Sequence, residues 1–199
     1  MNEHIITGLG GVVGGALGTM FIHEGIKLSE KLPEGFKGPK MSAAPGDFVA
    51  RKAESIVARE VSPKAHEKFS HSLSWAYGIG WATFFGAITP ELPIRSFGGA
   101  IAAGAGMGAL CWAAGYVGWL PAAGIVEPVH RHGAGNVATS LASHVAYGVI
   151  SALPVAALGW ILHDPRPRAT FAIGKVAAKV GLLGSFLLFL AKRPRLLFG

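Results

Sequence analysis

Four side chains in or beside apolar runs of this sequence are the candidates for chemistry. His23 and Glu24 are adjacent, His71 follows Phe69 and Ser70, and His144 stands in "ASHVAYG". Imidazole nitrogens with a carboxylate suit zinc or iron, and two histidines on facing helices can ligate a b-type haem axially. In hydrocarbon an ionisable ring needs a partner, so each position is a candidate for function. His23, Glu24, His71 and His144 are therefore candidate metal ligands, and His71 and His144 candidate haem ligands. Two other readings compete: each ring bonds to a hydroxyl on a neighbouring helix and fixes packing, or the ring lies on a proton or transport path past His144 and Tyr147. Packing is the favoured one, because no spacing is specific to a metal. There is no His-x-x-x-His on one helix, and His130-x-His132 is a common loop pattern. Ser70-His71 and Ser143-His144 are not nucleophile and base, since neighbours on a helix point about 100° apart. No catalytic residue is nominated, and the chain is read as non-enzymatic.

The elements that must position these residues are apolar. The 199 residues are 51% hydrophobic and 15% charged, with a mean hydropathy of +0.44, whereas ordinary soluble domains are roughly a quarter charged. Five apolar runs carry the excess: 5–28, 69–89, 96–120, 136–162 and 169–191, the last interrupted by Lys175 and Lys179. At 1.5 Å per residue such runs cross a hydrocarbon core of roughly 30 Å. The expected fold is all-α: one integral membrane helical bundle of four to five transmembrane helices, kinked at Pro154 in the fourth span. The first run has no basic flank before it and no small-residue cleavage site after it, so it reads as a retained helix. Residues 29–68 form a basic polar loop. Within it "GDFVARKAESIVAREV" places apolar residues at helical spacing, with Asp47 as N-cap and Pro63 as stop, and predicts a short amphipathic helix on the membrane surface or capping the bundle.

The 29 glycines show no Gly-x-y period and fall inside the apolar runs. Gly10, Gly14 and Gly18, and again Gly104 and Gly108, form small-xxx-small faces that let helices approach closely where lipid supplies no hydrophobic drive. These faces predict partners: other membrane subunits or a second copy of the chain. The net charge of +7 is gathered beside the apolar runs, which suits anionic lipid headgroups and argues against nucleic acid. Nine of the 18 basic residues lie between Lys27 and Lys68, which marks that loop cytoplasmic and, with five spans, puts the N-terminus outside and the C-terminus inside. The single cysteine, Cys111, excludes an intrachain disulfide. Ala76-Tyr77-Gly78 and Ala146-Tyr147-Gly148 repeat one motif at similar depth, a hint of paired two-helix units.

Several stretches together resemble the YagU-like family of bacterial inner-membrane proteins. They are the glycine-rich first run, "KLPEGFKGP", "HSLSWAYGIG", "YVGWLPAAGIVEP" and "ASHVAYG". The likeness covers roughly residues 5 to 160 and is carried most clearly by Gly118, Trp119, Leu120, Pro121, Gly124, His144, Tyr147 and Gly148. It implies a multi-pass location in the bacterial inner membrane and no established activity. The expected function is a non-enzymatic accessory or structural subunit of a membrane complex; the alternatives are a haem- or metal-binding electron carrier and a small transporter.

Overall fold

The computed structural model describes residues 2–57, 61–92, 94 and 96–163. The fifth apolar run, 169–191, lies outside the described residues. The described structure is all helical, apart from an isolated antiparallel bridge between Met41 and Val126. Helix α1 (Glu3–Ser29) starts at Asn2, whose side chain accepts from the His4 N–H. Helix α2 (Pro45–Val57) is the amphipathic helix, and α3 (Pro63–Ile88) begins at Ser62 and Pro63 as cap and first helical residue. Helix α4 (Phe97–Trp112) opens on Ser96, which accepts from Gly99 N–H. It continues through a π-helical stretch, Ala113–Trp119, into the short α5 (Leu120–Ala122). Pro121 cannot donate to the carbonyl four residues back, and the wider turn instead bonds Leu120 N–H to the Gly115 carbonyl. Gly124, at φ +72°, then reverses the chain while Ile125 N–H reaches back to the Leu120 carbonyl. Helix α6 (Ala134–His163) runs on through Pro154.

Among the described residues three helices are long and apolar enough to cross a membrane: Glu3–Ser29, Phe97–Ala122 and Ala134–Gly159. The expected second span, 69–89, is helical within α3 but is not among them. Lys64, His66, Glu67, Lys68, His71 and the serines at 70, 72 and 74 dilute its first half.

The helices form a bundle in which α1 packs on α3 and α6, and α4 on α6, while Phe85 of α3, Met107 of α4 and Tyr147 of α6 share one core. Adjacent helices run antiparallel: Gly8 faces Ala87, Gly15 faces Ile79, and Gly14 and Gly18 face Ser151 and Tyr147. Glycine sets this arrangement. A Cβ on Gly11 would strike the Ala82 carbonyl of α3, and one on Gly14 the Ser151 carbonyl of α6. Gly104 meets Gly148 and Ala152, and Gly108 meets the His144 backbone, across the α4–α6 contact. All five predicted contact glycines thus pack against helices of the same chain. At such separations Cα–H groups face carbonyl oxygens, a weak contact that recurs between close helices.

Helix α2 docks along the first half of α3, where Gly46 rests on Ser70 and Ser74. Asp47 is not its N-cap: the helix begins two residues earlier, at Pro45, and the carboxylate works sideways. Asp47 accepts from Arg51 at 2.9 Å and from His66 Nε2 at 2.6 Å, while Glu54 faces His66 Nδ1 at 2.8 Å. With a carboxylate on each nitrogen the ring is held as imidazolium. Bonds from Asp47, then Glu54, raise His66 above its ordinary 6.5. Bonds from His66, then Arg51, hold Asp47 below its ordinary 3.8.

Two predictions follow from this packing. Gly14→Ala, whose Cβ has only backbone to displace, lowers stability in detergent by about 1–3 kcal/mol, whereas Gly80→Ala, which faces open space, does not; thermal unfolding of both variants checks the contrast. The His66 contribution to α2 docking is complete below pH 6.5 and is lost as pH rises through the raised value. Hydrogen exchange of the α2 amides, corrected for intrinsic rate, should therefore accelerate in alkaline buffer and be fast already at pH 6 in His66→Gln.

Candidate functional site

The antiparallel pairing of α1 with α3 brings His23 and His71 to the same level. Their rings stack, with centroids 5.4 Å apart and planes at 20°. Trp75, one turn on from His71, packs 5.6 Å from His23 and donates its indole N–H to His71 Nε2 at 2.9 Å. Met20, Glu24 and Lys27 complete the rim of a cleft of about 410 Å³. Glu24 is paired with Lys27 at 2.7 Å. Imidazole lone pairs lie in the ring plane, so two stacked rings do not aim them at a common point, and the indole occupies the lone pair of His71 Nε2. Among the described residues no group of three or more His, Cys, Asp or Glu side chains is placed to hold a metal ion.

His144 belongs to a different interface, between α4 and α6. Its Nδ1 donates to the Ser140 carbonyl at 2.8 Å, which fixes the proton on that nitrogen. The edge of the Tyr116 ring meets it, with centroids 5.6 Å apart and planes at 88°. Tyr116 in turn stacks on Trp112 at 6.0 Å, and the Trp112 indole donates to Ser140 Oγ at 2.9 Å. The π-helical stretch carries Tyr116, and such stretches gather at functional positions in helices. The structure thus separates the four candidates into a pair with a neighbouring carboxylate, His23, His71 and Glu24, and a lone ring, His144, in an aromatic cluster.

Trp112, Tyr116 and Ser140 were not singled out from the sequence. The available signal was two pairs at i, i+4, Trp112 with Tyr116 and Ser140 with His144, each of which shares a helix face. Nothing in either pair says that the two faces meet. Ser143 bonds to the Thr139 carbonyl of its own helix at 2.9 Å. The repeated motif acquires a role: the Tyr147 hydroxyl donates to the Gly78 carbonyl, joining one Ala-Tyr-Gly to the other across the bundle.

Ser140 is 5% exposed, so removing its hydroxyl strands the Trp112 indole N–H. Ser140→Ala should cost about 1–3 kcal/mol and shift the tryptophan emission, while Ser140→Thr retains both stability and spectrum.

Comparison with protein-family models, with characterised proteins and with solved structures returns no match, and the resemblance to the YagU-like family rests on the motifs quoted above.

Proposed function

We propose that this chain is a non-enzymatic integral protein of the bacterial inner membrane, acting as a small accessory or structural subunit that packs against a larger membrane complex or a second copy. The observation that carries the membrane reading is an inverted distribution of side chains. On α1 the large apolar residues face outward, Ile5 and Val13 at 54% exposure and Leu9 at 53%, while Thr7 at 1% and Thr19 at 5% lie inside with the glycines. Water-soluble helices bury the first kind and expose the second; lipid reverses the preference because the tails solvate the apolar face. Phe84 on α3, Leu110 on α4 and Val117 on the π-helical stretch continue the outward belt. Helix α3 is proposed as a fourth span because it lies beside α1 from Ala87 to His71 and shares its depth. The basic loop between α1 and α3 is then cytoplasmic, with the N-terminus outside.

The subunit reading is supported by what the internal packing leaves over. The glycines of α1 are consumed by α3 and α6, but α4 turns Gly98, Ala102 and Gly106 outward, and nothing lies within 4 Å of a Cβ built on either glycine. A haem or metal carrier is less well supported, since His71 and His144 occupy different interfaces. For a transporter, the surroundings of Tyr147 are close-packed: the ring is 2% exposed and Gly18 lies directly against it.

The chain should stay in the pellet after alkaline carbonate extraction. In blue-native gels it should run well above its 20.6 kDa monomer, and Gly106→Leu should move it toward monomer without lowering its unfolding temperature. A wild-type chain running as a lone monomer in mild detergent would overturn the subunit reading.

A further inference from the structure

At the end of the bundle where α5 stops and α6 begins lies a second cleft, of about 1000 Å³. Two connections build it, and backbone bonds lock them together. Met41 bridges Val126, and Ser42 N–H donates to the Ile125 carbonyl at 2.8 Å. The Asn136 amide donates to the carbonyls of Glu34 at 2.9 Å and Lys37 at 2.5 Å. Ile125 and Val126 are buried beneath it, 2% and 5% exposed. The walls are therefore fixed before any ligand arrives, which lowers the ordering cost of binding.

Its charges are arranged unevenly. Lys40 enters from one connection and Arg131 from the other, and among the described residues neither forms an ion pair. Glu34 is already taken by Lys37 at 2.6 Å. His132 donates from Nε2 to the Glu127 backbone carbonyl at 2.9 Å, and the Glu127 side chain lines the same cleft. Lys40 adds only a longer-range attraction to Glu34, and two cations facing one space from separate segments without an ion pair suit a phosphate oxygen cluster; arginine binds phosphate with two parallel donors. An adjacent carboxylate suits a cationic or hydroxyl group linked to that phosphate. Because the cleft sits where the long apolar helices end, it lies at headgroup depth.

We propose that this cleft binds the phosphodiester headgroup of a membrane glycerophospholipid, with Lys40 and Arg131 on the phosphate and Glu127 on the headgroup's ammonium or hydroxyl. The proposal rests on the membrane reading for the source of its phosphate, but not for the chemistry of the site. Native mass spectrometry of the full chain in maltoside micelles, supplied with phosphatidylglycerol or phosphatidylethanolamine, tests it. The wild type should retain one phospholipid; the double variant Lys40→Gln, Arg131→Gln should retain at least tenfold less. Lys31→Gln, exposed and outside the cleft, should match the wild type. Both cleft side chains are exposed and free of ion pairs, so the double variant should unfold at the wild-type temperature. Equal retention in all three proteins overturns the site. Displacement of the lipid by glycerol phosphate at equal concentration overturns the lipid as source in favour of a soluble phosphate. Release of the chain by alkaline carbonate overturns the membrane reading alone, because retention that depends on Lys40 and Arg131 is read separately.

Discussion

The close approach of backbone to backbone along α1 is the constraint from which the rest of the bundle follows. Helix pairs in lipid gain little from burying apolar surface, because the tails are as apolar as the side chains. What holds them is dispersion over many short contacts, and the number of those contacts depends on how near the axes come. Gly11 and Gly15 admit the α3 backbone on one side of α1, and Gly10, Gly14 and Gly18 admit α6 on the other. One helix therefore has two contact faces and lies between α3 and α6. Helix α4, whose glycines at 104 and 108 match Gly148 of α6, packs on α6 and brings Met107 into the core that Phe85 of α3 shares.

This order decides which polar groups meet. Histidines at similar depth on α1 and α3 become neighbours because those helices touch, and His23 stacks on His71. His144 lies on the α6 face turned to α4, so its company is Tyr116 and, through Ser140, Trp112. The Tyr147 hydroxyl closes the middle by bonding to the Gly78 carbonyl, a group that helix geometry leaves accessible only where no large side chain intervenes. Outside the apolar layer the rules change back to those of water: α2 is held on α3 by carboxylates around His66, and the two connections beyond α1 and α5 are joined by ordinary backbone hydrogen bonds. The molecule thus uses small residues for cohesion within the layer and charge for attachment at one end.

Much of this was legible in the residues themselves. Composition pointed to an all-helical chain with helices long and apolar enough to span. The runs 5–28, 96–120 and 136–162 coincide with the three helices among the described residues that are long and apolar enough to span, because hydrophobic length is a local property. The glycines at 10, 14, 18, 104 and 108 were legible as contact points for the same reason: absence of a side chain is itself the signal. The run 69–89 is helical within α3, but its serines, histidine and glycines keep it below the apolarity of the other three. Asp47 was misread as a cap because a cap and a side-chain clamp on a distant histidine look alike until the partner helix is in place.

The sequence by itself determined the helices, their apolar length and the small-residue faces on which they touch, since each depends on residues within a few turns of one another. Only the tertiary structure decided which face meets which: that the contact glycines serve helices of their own chain, that His23 and His71 are partners and His144 is not, that Asp47 and Glu54 enclose His66, and that Lys40 and Arg131 share one cleft. Small-xxx-small faces are interchangeable as patterns, and what distinguishes them is the fit of one backbone against another over several turns, a property of pairs of helices that no single segment carries.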